Sequence, residues 1–205
     1  ARGVSFAAAT AVGCGAAAGV DPELALTADA SGAPTPWAAT CTEAVPELQA
    51  QGLGTDPDLV VLHSSWETSD RIVAGRHVPF GTTEWDSIVR AELRAAVDRL
   101  SAGGAVVALL TIPPIVDGEL RVAPADDNAR IARLGALLAD VARTSDGRAV
   151  LVDLAALVCG RHAPCPTTLD GVVLRPLDGA HFEPDGAAVV APRLADLLGA
   201  LDVGP

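Results

Sequence analysis

Short runs of consecutive apolar residues alternate along this chain with longer stretches whose apolar positions recur every three or four residues. Residues 58–63 (Asp-Leu-Val-Val-Leu-His), 105–111 (Ala-Val-Val-Ala-Leu-Leu-Thr) and 149–153 (Ala-Val-Leu-Val-Asp) are the short runs. Strands in a parallel sheet covered on both faces have this character, because neither face alternates with water. Between them, the spacing predicts a helix from about Thr83 to Leu100 with Trp85, Ile88, Val89, Leu93, Val97 and Leu100 inward. A second runs from about Asp127 to Arg143 with Ile131, Leu134, Leu138 and Val141 inward. Thr82 or Thr83 and Asp126 or Asp127 stand where N-caps are wanted, and Gly103-Gly104 and Gly147 where helices should stop. A last helix follows Pro184 and Gly186, with Val190, Leu194, Leu197, Leu198 and Leu201 on one face.

Strand and helix in alternation predict a three-layer α/β domain with a doubly wound, mainly parallel sheet. Residues 3–11 read as an additional strand ending in Val12-Gly13-Cys14-Gly15. Residues 16–57 read as long and irregular, with a short helix near Thr42 to Gln51, and 64–81 as a second irregular segment after the 58–63 strand. Ligands in such folds collect beyond the carboxyl ends of the strands, so both segments are expected to line a site.

The chain has 205 residues, half of them apolar, which suits one domain with a real core. Its net charge is −12, and all 14 basic residues are Arg. So acidic a surface repels phosphate backbones and argues against a nucleic-acid partner. No apolar stretch reaches the length of a membrane span, and the N-terminus lacks a signal-peptide pattern. Met is missing altogether, including at position 1, so the chain is expected to be processed or cut from a longer protein.

The four cysteines fall into two local sets, Cys14 with Cys41 and Cys159 with Cys165. Two disulfides, free core thiols and a metal site with His162 all remain open, although the spacings lack a Cys-x-x-Cys knuckle and His162 gives at best three ligands. Disulfides would place the domain outside the cytoplasm.

The chemistry concentrates in Asp178-Gly179-Ala180-His181-Phe182, just before the last helix. A carboxylate three residues before a histidine can take a hydrogen bond from one ring nitrogen, which fixes the tautomer and leaves the other to accept a hydroxyl proton. A surface helix cap has the same spacing. Possible nucleophiles are Ser64, Ser65, Ser5 and Cys14: the first two are more readily substrate or backbone contacts, Ser5 is expected mid-strand and buried, and a disulfide would consume Cys14. His63 reads as a core or supporting histidine, Glu67 with Asp70-Arg71 as a local ion pair, and Trp37 and Trp66 as either stacking platforms or loop anchors.

The order Val-Gly-Cys-Gly, Cys41, Asp58-Leu-Val-Val-Leu with Ser-Ser-Trp66-Glu67 and Asp70-Arg71, Leu109-Leu110-Thr-Ile-Pro-Pro and Asp178-Gly-Ala-His181 resembles SGNH hydrolases. More narrowly, it resembles the extracellular SGNH domain fused to the acyltransferase family 3 membrane domain of bacterial surface-glycan O-acyltransferases. The resemblance implies a flavodoxin-like strand order, an acyl donor and a glycan acceptor as partners, no metal or cofactor, and an extracytoplasmic location. By resemblance Gly13 supplies an oxyanion amide, and Asp178 and His181 complete a triad. Ser64, Ser65, Trp66 and Glu67 then line the substrate side. The family's Gly-x-Asn position is Ser64-Ser65-Trp66 here, and its Gly-Asp-Ser nucleophile occurs nowhere in the chain. The expectation is therefore a single domain over 1–205 whose first strand, with the serine, precedes this sequence. A stand-alone secreted esterase and a non-catalytic glycan-binding or docking module are the alternatives.

Overall fold

A computed structural model describes residues 5–18, 26–160 and 164–201. In chain order the elements are β1 (Leu26–Ala28), α1 (Ala38–Leu53), β2 (Leu59–Leu62), β3 (Asp70–Val73), β4 (Arg76–Val78), α2 (Thr83–Leu100), β5 (Val106–Leu110), α3 (Ala125–Arg143), β6 (Ala149–Val152), α4 (Leu154–Cys159), β7 (Thr168–Leu169), β8 (Val172–Val173) and α5 (Pro184–Gly199). The parallel sheet has the order β2-β5-β6, with Val60 opposite Val107 and Leu109 opposite Leu151. These strands are the three apolar runs, and both long amphipathic helices form where the periodicity places them.

β5 shows why its sequence has no polar alternation. Val107 and Leu109 enter a core with Trp85, Val89, Leu93 and Val97 of α2 and Leu134, Leu138 and Val141 of α3. Ala108 and Leu110 point the other way, into a second core with Leu154 and Val158 of α4, Leu174, and Val190 of α5. Helices thus cover both faces, as a doubly wound sheet requires.

Thr82 caps α2 by accepting the Trp85 amide at 3.1 Å. In α3 the cap is Pro124, with Asp126 and Asp127 in the first turn, where their charge meets the positive end of the helix dipole without closing a hydrogen bond. Both helices stop short of the glycines expected to end them, at Ser101 and Thr144. Gly104 and Gly147 instead take positive φ in the following turns, 98° and 80°. On α5, Val190 is buried and Leu194 and Leu198, with Leu201 just beyond the helix, pack partly against the second core, while Leu197 stays 44% exposed.

Three expectations need correction. Residues 5–11 form no strand; Ser5 and Phe6 are exposed there, Phe6 to 85%. A strand exists only when a ladder partner satisfies its amides, and none of the described residues offers one. Residues 26–28 are a strand and the helix after them extends over Ala38–Leu53, longer than the apolar spacing suggested. Third, the segment 64–81 is a 3-10 turn (Trp66–Thr68) followed by a β3–β4 hairpin. Its two-residue turn, Ala74-Gly75, has φ of 49° and 74°, the twist that suits a tight hairpin. β1 pairs antiparallel with β3 to complete this small sheet.

Both disulfides form, Cys14–Cys41 and Cys159–Cys165. His162 lies outside the described residues, and no helix among those described is long and apolar enough to cross a membrane. Because Leu109 is fully buried on the central strand, Leu109→Ala should cost about 2–5 kcal/mol, read as a lowered midpoint in urea denaturation with an unchanged slope.

Candidate active site at the carboxyl edge of the sheet

Two groups of sequence-selected residues gather at the carboxyl ends of the parallel strands. The first is the acid-base pair. Asp178 Oδ2 lies 2.6 Å from His181 Nδ1, and its Oδ1 accepts the amides of Ala180 and His181, each at 2.9 Å. The carboxylate thereby caps the turn and orients the ring at once. The imidazole side chain is 86% exposed and that of Asp178 27%, so Nε2 is open to a group arriving from outside the described residues. Burial by itself raises the Asp178 carboxyl, but the His181 amide, the His181 ring and the Ala180 amide outweigh it and hold the group well below its usual range.

A strap of residues 112–124, leaving the end of β5, fastens this turn. Val116 donates its amide to the Gly179 carbonyl at 3.1 Å, and Leu120 donates to Leu177 at 2.8 Å. Arg121 Nε reaches the Asp178 carbonyl at 3.0 Å. Gly179 is required here: its φ is 72°, and a Cβ would stand 1.7 Å from the Val116 carbonyl oxygen. Asn128 of α3 holds the strap from its other side, accepting the Ile115 amide at 2.7 Å and donating to the Ile115 carbonyl at 2.9 Å. Arg175, 2% exposed, donates to the Pro114 carbonyl at 2.7 Å. Its burial pushes the guanidinium down, against the pull of the Asp178 charge.

The second group surrounds Gly13. This residue has φ of 77° and is buried, and its N–H meets no acceptor among the described residues. Trp37 packs on it, so that a Cβ would lie 2.8 Å from Trp37 Cδ1, and the indole remains 57% exposed. Ser64 Oγ accepts the Trp66 amide at 3.2 Å, Ser65 is exposed, and Trp66 is 40% exposed. His63, at the end of β2, has an exposed surface, while burial of its ring pushes the imidazole down against the pull of the Glu67 charge.

Glu67 does not face a substrate space. It is 2% exposed, with Oε1 accepting the Ala17 amide at 3.0 Å. Nor does it pair locally with Arg71, whose guanidinium bonds the Glu92 carboxylate at 3.0 Å and the Glu67 carbonyl at 3.2 Å. Asp70 binds Arg130 and His77, each at 2.8 Å. The near neighbours in sequence lost these partners because the hairpin turns their side chains toward α2 and α3. Cys14 is in a disulfide and offers no thiolate.

Sequence reading missed the strap, Arg121, Arg175 and Asn128. Only Gly118 gave a trace of it: a Cβ there would fall 2.6 Å from the Leu177 carbonyl oxygen, but a glycine does not announce its neighbour.

A parallel sheet between helices, with a hydrogen-bonded Asp178–His181 pair on the loop ahead of the last helix, is consistent with an SGNH hydrolase-like α/β domain. The comparison with known families agrees: the family model described as an SGNH domain fused to AT3 domains matches residues 1–196, and the chain belongs to this family. Its chemistry is accordingly of the SGNH hydrolase, acyl-related type, in a family associated with a membrane acyltransferase domain. A search of the curated proteins found no match.

Since the folded Asp178 carboxyl is depressed below its ordinary value of about 3.9, its stabilisation of the turn is fully present above that pH and fades as pH falls toward the folded value. In an NMR titration the Ala180 and His181 amides should keep native shifts above about pH 5 and depart only below about pH 3. Asp178→Ala should lose their exchange protection at neutral pH while leaving β5 protected.

Proposed function

We propose that this domain performs O-acyl transfer to a glycan hydroxyl on the outer side of the cytoplasmic membrane. His181 acts as general base, Asp178 holds its tautomer and stabilises the imidazolium, and the Gly13 amide takes the oxyanion. The reading rests chiefly on the 2.6 Å Asp178–His181 pair, with Nε2 left open. Gly13 supports it: the residue is buried and its N–H meets no acceptor among the described residues, and a buried amide calls for one.

The nucleophilic serine is assigned to polypeptide outside these 205 residues, entering as a strand beside β2. One observation is compatible with that position: β2 pairs with β5 on one side and with no described strand on the other, a ladder edge open to addition. An extended segment bonded there would end at the same edge of the sheet as Ser64 and the strap.

In the reaction, His181 Nε2 removes the serine proton as the oxygen attacks the donor's acyl carbon. The tetrahedral oxyanion rests on the Gly13 amide, and the donor's alcohol or thiol leaves with the proton from His181. A glycan hydroxyl, deprotonated in turn by His181, then attacks the acyl-enzyme and releases serine. Water in place of the glycan gives an ester hydrolase. Trp37 and Trp66, both partly exposed beside the Gly13 turn, offer aromatic faces on which a sugar ring can stack.

The test uses the whole protein with its membrane domain. A serine-directed fluorophosphonate should label it covalently, and peptide mapping should place the label on a serine outside residues 1–205. His181→Ala should slow labelling and acyl transfer by about 10²–10⁴-fold. Transfer to the glycan in preference to water separates transferase from esterase. An unlabelled protein in which His181→Ala changes nothing would leave the domain as a binding or docking module.

A further inference from the structure

The turn that carries Gly13 rests on a buried carboxylate. Glu67 sits on the short 3-10 turn after β2 and is 2% exposed. Its Oε1 accepts the Ala17 amide at 3.0 Å. Gly15 lies against the same oxygen, such that a Cβ would stand 2.7 Å from Oε1. Two further ties converge on this turn from α1: Gln49 donates Nε2 to the Ala16 carbonyl at 2.7 Å, and Cys41 closes the disulfide to Cys14. Four consecutive residues, Cys14 to Ala17, are thus each held by a contact from elsewhere in the chain.

The choice of a carboxylate for this task is expensive. Burying a charge costs several kcal/mol unless it is compensated, whereas turns are ordinarily held by neutral groups. Arg71 lies close, but its guanidinium donates to the Glu67 backbone carbonyl and to the Glu92 carboxylate, not to the Glu67 carboxylate. Glu67 Oε2 has no hydrogen-bond partner among the described residues. Beside it lies a cavity of about 20 Å³ whose walls include Ala17, Thr42, Arg71 and Glu92, room for one water. Burial pushes the Glu92 carboxyl up, despite Arg71, and the nearby Glu67 charge adds to the rise.

A buried anion aimed at one backbone amide does more than fill space. It fixes the direction of the peptide planes that follow Gly13, and an oxyanion donor is useful only when aimed before the charge develops. We infer that Glu67 is a positioning residue for the Gly13 amide, acting through the Ala17 N–H and assisted by a water held on its Oε2. The inference rests on the reading of Gly13 as the oxyanion donor. It takes Glu67 off the substrate surface and gives it a role in aiming that donor.

The experiment pairs Glu67→Ala with Glu67→Gln and Gly15→Ala in the full-length protein. Glu67→Gln keeps a carbonyl oxygen for the Ala17 amide. Gly15→Ala keeps the carboxylate but forces it away from the turn. Hydrogen exchange of the amides in residues 13–18 and steady-state hydrolysis of a small acyl ester are measured together. Glu67→Ala and Gly15→Ala should each speed exchange in 13–18 about tenfold or more, with β5 unchanged. Both should lower kcat by about 10–100-fold with KM within about threefold, and Glu67→Gln should restore most of kcat.

Unchanged exchange in 13–18, or a loss carried by KM alone, overturns the inference. So does a fall in protection throughout the domain in both Glu67→Ala and Gly15→Ala. A wild type inert to fluorophosphonate removes the acyl-transfer reading and the catalytic meaning of Glu67 with it. A wild type that labels, with kcat unaltered in Glu67→Ala, removes the positioning role alone.

Discussion

Double-sided burial of Val106–Leu110 is the constraint from which the rest of this domain follows. A strand whose alternate side chains enter two different cores needs helices on both faces, and it obtains them from α2 and α3 on one side and α4 and α5 on the other. Parallel neighbours follow as well, because each strand must return over a helix to the same end of the sheet. All three strands therefore release their loops at one edge. The strap after β5, the Ser64–Glu67 turn after β2 and Asp153 after β6 share that edge for this topological reason, and the acid-base pair arrives there through the strap.

Arginine does much of the joining. With 26 acidic and 14 basic side chains, every guanidinium has a choice of carboxylates, and the buried ones serve several acceptors at once. Arg71 ties the small sheet to Glu92 of α2. Arg130 ties α3 to Asp70 and the Thr68 carbonyl while stacking over Phe80 at 4.5 Å. Arg175 reaches the strap behind the Asp178 turn. A planar fork with five donors suits such bridging, since it satisfies carbonyl oxygens that irregular loops leave unpaired.

The proposed catalytic parts differ in how far apart they lie along the chain. Asp178 and His181 are three residues apart and their contact is local, so any chain that turns there brings them together. Gly13, Trp37, Cys41, Gln49 and Glu67 span more than fifty positions, and their meeting depends on the disulfide, on α1 and on the turn after β2. That asymmetry explains why one half of the site is a short motif and the other a tertiary assembly with a buried charge inside it.

Short unbroken apolar runs by themselves determined the three parallel strands, and the 3.6-residue period, a property of local backbone geometry, determined the α2 and α3 helices with their inward faces, and α5. Cysteine placement narrowed the pairing and left its chemistry open, and a carboxylate three residues ahead of a histidine marked the Asp178–His181 contact that the structure forms. Only the tertiary structure decided that residues 5–11 make no strand, since ladder amides need a partner that no local pattern supplies. It also decided that 70–78 fold as a hairpin, whose short, mixed strands resemble a loop until β1 pairs with them and Arg130 of α3 reaches Asp70. Likewise it turned Glu67 from an expected substrate contact into a buried anchor and Arg71 from a neighbour's partner into Glu92's. Charge pairing in a folded chain follows distance through space, and a polar residue's sequence neighbours say little about which carboxylate or amide the packing will bring within 3 Å.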